Sequence, residues 1–169
     1  MLEPRAVVLV EGNSDRVALG TLARRRGRDL TAEGVEVLAM GGVTNLRAFA
    51  SHYGPQCLDV PLVGLYDAGQ EAVVRHGLAA AGFSGAVRAD GLPGLGFFKC
   101  TADLEDELIR ALGVDAVEAV IDAAGEWRSL RRLSAMPAQR GWTRDAVLHR
   151  FVAVRSGRKA RYAELLVEA

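Results

Sequence analysis

The chain has 169 residues, of which 50% are hydrophobic and 25% are charged, and its mean hydropathy is +0.11. This composition is typical of one globular domain and excludes a disordered tail. No apolar run is long enough to span a membrane and no signal-peptide pattern is present, so we expect a cytoplasmic protein without membrane association. Cys57 and Cys100 are too few for a disulfide framework or a zinc cluster.

The formal net charge is zero, which excludes a globally basic nucleic-acid binder, but the charges are unevenly distributed. Residues 1–125 contain 17 acidic and 11 basic residues, whereas residues 126–169 contain 4 acidic and 10 basic ones. An acidic first part and a basic last part indicate a site that gathers cations beside a surface that accepts phosphates. Arginines exposed on a helical tail would give the same distribution.

Strand and helix patterns alternate over the first two-thirds of the chain. Aliphatic and β-branched runs predict strands over 6–10, 35–40 and 61–66, and a weaker pattern predicts one over 94–100. Helix-length segments separate them, including one predicted over 70–81. We therefore predict an α/β fold with a mostly parallel four-stranded sheet flanked by helices.

Only helical periodicity follows residue 101, with short helices predicted over 114–124, 144–154 and 158–167. Pro137 and Gly141 predict a turn between two of them. We therefore predict an α/β core over residues 1–113. A C-terminal helical extension over 114–169 would pack on this core to form a single compact unit.

Carboxylates stand where two of the predicted strands end. Glu11 follows the first strand, Asp15 begins the next helix, and Asp67 follows the third strand. In a 2-1-3-4 sheet the first and third strands are neighbours, so Glu11 and Asp67 would face one crevice at the carboxyl edge. Two nearby carboxylates repel each other, and a divalent cation relieves the repulsion. The alternative is that Glu11 accepts backbone N–H bonds and Asp67 caps a helix.

A third acidic group lies in the segment 101–108. On a helical wheel Glu105 falls on the apolar face beside Leu108, where an unpaired carboxylate is costly. Asp103 lies off that face but near the end of the fourth strand. We therefore predict Glu105 as a metal ligand first and Asp103 second, and we interpret Asp106 and Glu107 as solvated helix charges.

Lys159 is one of only two lysines among 21 basic residues, the other being Lys99. It shares a helical stripe with Tyr162 and Leu166 and can lean toward the protein body. A compact ammonium suits the charge that develops on a phosphorane oxygen better than a planar guanidinium does. The alternative is a lysine that extends its stem over apolar surface to reach solvent.

Together these residues resemble a known family. The segment 8–15, Val-Leu-Val-Glu-Gly-Asn-Ser-Asp, resembles the first motif of TOPRIM domains, the metal-dependent catalytic folds of topoisomerases, primases and some nucleases. The spacing of Glu11 and Asp15, the acidic segment 103–108 and the lysine-bearing helix 158–166 resemble the OLD (overcoming lysogenization defect) family nucleases more closely. The resemblance covers nearly the whole chain in the same order.

The resemblance implies a TOPRIM-like core and phosphodiester hydrolysis or transfer on nucleic acid, with DNA favoured over RNA, by a Mg²⁺ or Mn²⁺ two-metal mechanism. It implies that Glu11 and Lys159 are catalytic, with Lys159 stabilising the transition state. The implied metal ligands are Glu11, Asp15, Asp67, Asp103 and Glu105. Non-specific phosphate contacts are expected from Arg128, Arg131, Arg132 and Arg158.

Two features depart from the family pattern. The usual Asp-x-Asp pair reads Asp67-Ala68-Gly69 here, so the second carboxylate is absent, and Glu71 is the residue that could replace it. OLD nucleases also carry an ATPase domain before the TOPRIM part, and no Gly-x-x-x-x-Gly-Lys-Ser/Thr segment occurs here. We therefore expect any ATPase to be a separate partner, and a homodimer is compatible with the sequence.

The missing carboxylate favours a second hypothesis, in which the chain is a catalytically silent TOPRIM module that binds nucleic acid or an ATPase partner. A third is a receiver-like domain that accepts a phosphoryl group on Asp67. We interpret Trp127 and Trp142 as core or interface residues rather than base-stacking platforms. The three histidines have no spacing that suggests a ligand set.

Overall fold

A parallel sheet forms the centre of the first part of the molecule. The computed structural model describes residues 3–89, 91–154 and 156–169. Its strands are β1 (Ala6–Val10), β2 (Val35–Ala39), β3 (Leu62–Asp67) and β4 (Phe97–Cys100). All neighbouring pairs are parallel and the order is β2-β1-β3-β4, which confirms the predicted fold class and strand order.

Helices connect the strands and follow the last of them. They are α1 (Asn13–Arg25), α2 (Leu46–Tyr53), α3 (Glu71–Leu78), α4 (Ser84–Ala89), α5 (Gly91–Gly94), α6 (Leu104–Leu112), α7 (Val114–Ala123), α8 (Trp127–Ser134), α9 (Arg144–Ala153) and α10 (Ser156–Glu168). Within the described ranges, no helix is long and apolar enough to cross a membrane.

One apolar cluster fills one side of the sheet. Val7 and Leu9 of β1 are fully buried and pack with Leu46 of α2 and Phe97 of β4. Gly64 of β3 lies so close to these strands that a Cβ there would stand 2.7 Å from the Leu9 carbonyl oxygen and 2.8 Å from the Phe97 ring. The aliphatic strands therefore pack tightly side by side and bring their carboxyl ends to one edge.

A second apolar cluster joins the later helices α6 to α10. Its fully buried members include Val117, Ile121, Phe151 and Tyr162. Because α6 packs with these later helices, its side chains belong to the second cluster although the sequence prediction placed it in the core segment. The division at residue 113 therefore stays a prediction.

Small residues join the first helix to the last. Ala18 of α1 packs against Ala163 and Val167 of α10, and all three are buried. Small side chains at a contact allow two helix axes to approach closely. This contact places α10, with Lys159, beside the start of α1.

Two elements differ from the sequence prediction. The helix predicted over 70–81 is α-helical only over α3 and then widens into a π-helical segment, Ala79–Phe83. Gly82 adopts a φ of 101° there, a conformation that strongly favours glycine. Helix α8 was not predicted, because its eight residues include three arginines and few apolar side chains.

Candidate active site

The carboxyl edge of the sheet carries the first three acidic residues. Glu11 directly follows β1, Asp67 is the last residue of β3, and Asp15 lies in the first turn of α1. Because β1 and β3 are paired neighbours, both strands deliver their carboxylates to the same edge. The structure therefore places these residues as the sequence predicted.

Helix α6 adds two more carboxylates after β4. Asp103 is its N-cap residue, and its Oδ1 accepts a hydrogen bond of 2.9 Å from the Asp106 backbone N–H. Glu105, in the first turn, is only 4% exposed, as the helical wheel predicted. Asp106 and Glu107 instead pair with Arg110 on the exposed side of the helix.

Electrostatic coupling shows that the acidic residues share one region. Burial and then the negative charges of neighbouring carboxylates raise the pKa of Asp67 from 3.8 to about 6. Those neighbours are Glu11, Asp103, Asp15 and Glu105. The other four predicted ligands therefore lie within electrostatic reach of Asp67, and their charges disfavour its ionisation.

One cation enters this acidic region from the other end of the chain. The Lys159 Nζ of α10 lies 3.2 Å from the Glu105 Oε2. Burial acts to lower the pKa of Lys159, but Glu105, Asp103 and Asp15 outweigh this effect and raise it above its ordinary value. Lys159 is therefore held as an ammonium ion inside the acidic cluster.

Glu105 is only half satisfied by this ion pair. Its Oε1 is buried and has no hydrogen-bond partner in the part of the chain that the structure describes. Burial raises the pKa of Glu105, even though Lys159 acts to lower it. A buried carboxylate oxygen without a partner is costly, so this atom marks a position where a bound cation would be stabilised.

Two of the five carboxylates are held by local hydrogen bonds. The Asp15 Oδ2 accepts a 2.7 Å bond from the Gly12 N–H at the start of α1, while burial raises the pKa of Asp15. Asp103 uses one oxygen for its helix cap and the other for the Nε2 of His149, at 2.7 Å. Each oxygen of Asp103 thus has one hydrogen-bonding partner and keeps a second lone pair, so Asp103 stays a predicted ligand that α6 and His149 orient.

Sequence reasoning missed His149. Its partner Asp103 lies 46 residues earlier in the chain, so no local spacing could reveal the contact. Only the packing of α9 on α6 brings the two side chains together. The pair ties the acidic end of α6 to a helix of the second apolar cluster.

The Glu11, Asp67 and Glu105 carboxylates keep oxygens that make no hydrogen bond among the described residues, which fits a site for a hard divalent cation. The five carboxylates nevertheless do not close around one point. Among the described residues, no three His, Cys, Asp or Glu side chains stand close enough to hold a metal ion as they are placed. Glu71, the proposed replacement for the missing aspartate, pairs with Arg75 and Lys99 instead.

The predicted phosphate-binding arginines fall into two groups. Arg128, Arg131 and Arg132 are exposed on α8. Arg158 is instead bound to Glu126 at 2.6 Å and stacked over the Phe151 ring, 4.3 Å from its centroid. No local pattern could indicate this difference, because Glu126 lies 32 residues from Arg158.

The β2-β1-β3-β4 parallel sheet, with Glu11, Asp67 and an acidic helix at its carboxyl edge, is the arrangement that the resemblance to TOPRIM domains predicts. Residues 4–68 match the family model for the TOPRIM domain of overcoming lysogenization defect protein-like proteins. Over these residues the chain is therefore similar to an OLD-like TOPRIM domain, as the sequence motifs indicated. Such a domain implies a metal-binding module of the nuclease type, since TOPRIM domains generally bind divalent metal ions.

Solved structures extend the likeness over the rest of the fold. The C-terminal region of the Xanthomonas campestris pv. campestris OLD protein, phased with mercury, has a TM-score of 0.70 and 24% identity, over 100% of this chain and 87% of that chain. The same region phased with platinum has a TM-score of 0.69 and 26% identity, over 98% and 84%. The C-terminal region of the Burkholderia pseudomallei OLD protein has a TM-score of 0.64 and 22% identity, over 99% and 89%. No curated protein matches the chain.

Proposed function

We propose that the chain is a divalent-metal-dependent nuclease domain that hydrolyses or transfers phosphodiester bonds in nucleic acid. The observation that carries this proposal is the Lys159–Glu105 pair inside a cluster of five carboxylates at the carboxyl ends of β1, β3 and β4. A half-buried lysine among carboxylates combines cation binding with one positive charge for a phosphate oxygen.

Glu11, Asp67 and Glu105 are the proposed metal ligands, because each offers an oxygen without another partner in the described structure. Asp15 joins them through its Oδ1, since only its Oδ2 is engaged by Gly12. Mg²⁺ and Mn²⁺ both favour carboxylate oxygens. When bound, such ions lower the pKa of an attacking water and stabilise the leaving oxygen.

Lys159 supplies the charge that the carboxylates cannot. Its ammonium group is oriented by Glu105 and is about one-third exposed, so a phosphate oxygen can reach it. It would stabilise the negative charge that grows on the phosphate in the transition state. Glu105 thus serves both as a ligand and as the group that positions Lys159.

The test compares the chain's two lysines. Lys159→Ala should reduce Mn²⁺-dependent cleavage of a plasmid or oligonucleotide about a hundredfold or more, because one transition-state contact contributes about 3 kcal/mol. Lys99→Ala is the matched control, since Lys99 pairs with Glu71 on the surface and should leave the rate within about twofold. Equal rates for the Lys159 variant and the parent would refute the role of Lys159.

A silent module that binds nucleic acid or a separate ATPase is the second candidate. Gly69 in place of a second aspartate, together with the open spacing of the carboxylates, favours it. Isothermal titration with Mn²⁺ and a cleavage assay on the same preparation separate the two. A nuclease binds the ion at submillimolar concentration and cleaves, whereas a silent module does neither.

A further inference from the structure

A cavity of about 450 Å³ lies in the helical part, between α8, the turn that follows it and α9. Its volume falls within the range of about 300–1,000 Å³ that is usual for small-molecule sites. Trp127, Arg131 and Ser134 line it from one face of α8, since residues three or four apart share a helix face. The proposed metal ligands do not line it, so it is distinct from the candidate active site.

Both tryptophans of the chain line this cavity. Trp127 is 36% exposed and Trp142 is 44% exposed, so neither is a core residue. Exposed indole rings at the wall of a cavity offer flat apolar surfaces on which a planar ring can stack. Every nucleobase has a flat face that can stack on an aromatic side chain, so this kind of binding does not depend on the nucleotide sequence.

Three arginines surround the same cavity. Arg144 is committed, because it pairs with Asp115 at 2.8 Å and with Glu118 at 2.7 Å. Arg131 and Arg140 make no side-chain hydrogen bond or ion pair within residues 3–89, 91–154 and 156–169. Two uncommitted guanidinium groups beside aromatic rings match an aromatic ligand that carries a phosphate.

A buried amide at the cavity points independently to a ligand. Gln139 is only 8% exposed, and its Oε1 is buried with no hydrogen-bond partner in the described structure. A glutamine amide carries a donor and an acceptor, which is the pairing that the edge of a base offers. An unpartnered buried oxygen is unfavourable in the free protein and would be satisfied by a bound N–H donor.

Helix α9 connects this cavity to the acidic cluster. Arg144, Val147 and Leu148 of α9 line the cavity, while the next residue, His149, contacts Asp103. One short helix therefore contributes to both sites.

We propose that the cavity between α8 and α9 binds a single unpaired nucleotide. Its base stacks on the tryptophan rings, its edge contacts the Gln139 amide, and its phosphate contacts Arg131 and Arg140. The inference rests on the proposed function in taking nucleic acid as the partner, but it requires no cleavage. It assigns single-stranded or unpaired nucleic acid as the substrate class.

Intrinsic tryptophan fluorescence tests the proposal directly, because both tryptophans of the chain line the cavity. The protein is titrated in EDTA with dAMP, with a short single-stranded oligonucleotide and with the duplex of the same sequence. We expect saturable quenching by dAMP or by the single strand, with an affinity at least about tenfold above that for the duplex. Quenching by dAMP assigns a free nucleotide as a ligand, and quenching by the oligonucleotide alone assigns a strand. No quenching by either, or equal affinity for the duplex, would overturn the proposal.

Variants locate the binding. Trp142→Ala should weaken binding of a labelled single strand about tenfold to a hundredfold, as loss of one stacked base does, and Gln139→Leu should weaken it as well. Arg150→Ala is the matched control, because this exposed arginine of α9 does not line the cavity. Circular dichroism of each variant verifies folding, and equal binding by all variants would contradict the assignment.

The two proposals fail separately. The Lys159→Ala variant should lose cleavage yet keep the fluorescence response to the single strand. If the parent cleaves nucleic acid but shows no fluorescence response, the nucleotide-binding proposal is refuted and the nuclease proposal stands. If the fluorescence responds to the single strand but no cleavage occurs, the nuclease proposal is refuted and the nucleotide-binding proposal stands.

Discussion

Glu105 illustrates which properties of a site residue can be predicted from neighbouring residues in the sequence and which depend on tertiary packing. The helical wheel predicted its inward position, because apolar neighbours in the same helix define the buried face. The wheel could not identify its partner, since Lys159 lies in a distant helix that reaches α6 only through tertiary packing. The same limit applies to His149, whose contact with Asp103 has no trace in local spacing.

The ion pair between Lys159 and Glu105 should contribute to the stability of the fold. In EDTA, Lys159→Met should lower the free energy of unfolding by about 2 kcal/mol, because it leaves the buried Glu105 carboxylate without its partner. The value is below that of a fully buried pair because Lys159 is partly exposed. The double variant Lys159→Met/Glu105→Gln should recover most of the loss in urea unfolding. A double variant no more stable than the single one would contradict the pairing.

Asp67 predicts a pH dependence. Burial and the neighbouring carboxylates raise its pKa to about 6 in the fold, so the folded state binds more protons than the unfolded state between about pH 4 and pH 6. Stability contributed by the protonated form is therefore complete below about pH 4 and is lost as the pH rises through 6. Asp67→Asn lacks this loss. In EDTA it should exceed the parent in stability by about 1 kcal/mol more at pH 7.5 than at pH 4, after allowance for solvent screening.

Thermal unfolding measures this difference as a change of about 2–4 °C in the relative Tm. Addition of Mn²⁺ at pH 7.5 supplies the control, because a bound cation stabilises the parent and should stabilise the Asn variant far less. The same Tm difference at both pH values would show that the Asp67 carboxyl is not perturbed by its neighbours.

Among the elements, the buried strands were the most predictable. Aliphatic runs in a parallel sheet are apolar on both faces, so β1 was predicted at its observed bounds and the other strands close to theirs. Helix α8 was not predicted, because most of its side chains face solvent and it has no broad apolar face that would indicate a helix. The predicted helix after β3 is cut short where Gly82 takes a left-handed conformation, which depends on the surrounding packing.

The turn after β3 allows the departure from the Asp-x-Asp pattern to be tested. A Cβ at Gly69 would meet no atom within 4 Å, so a side chain fits there without displacing a neighbour. Gly69→Asp should raise Mn²⁺ affinity about tenfold, because it adds a carboxylate to an existing acidic cluster. Gly69→Ala is the control for the backbone effect alone. Equal titration curves for the two variants would show that position 69 does not face the metal.

Across the whole molecule, the acidic and basic excesses of the sequence can be assigned to particular parts of the fold. The acidic excess of residues 1–125 includes the cluster around Asp67, and the basic excess of the later residues includes the exposed arginines of α8. What composition could not show is which basic residues are committed to the fold. Arg158 and Arg161 both bind Glu126.

This distinction predicts different outcomes for arginine variants. Arg128→Ala/Arg132→Ala should lower the slope of log affinity against log salt by about one unit per lost phosphate contact. Arg158→Ala should leave the salt slope nearly unchanged and lower the Tm, because it removes a partner of Glu126 and the stacking on Phe151. Mobility-shift or fluorescence-anisotropy measurements of DNA binding across a salt series distinguish the two variants. A lower salt slope for the Arg158 variant alone would contradict the distinction between exposed and committed arginines.

The contact of α1 with α10 has a consequence for the order in which the protein is made. Glu11 is synthesised early and Lys159 late, and ribosomal synthesis lets earlier segments fold first. A nascent chain that has not yet reached Lys159 carries the carboxylates but lacks the ammonium group. A chain interrupted before Lys159 therefore carries the proposed metal ligands but lacks one of the groups on which the proposed cleavage depends.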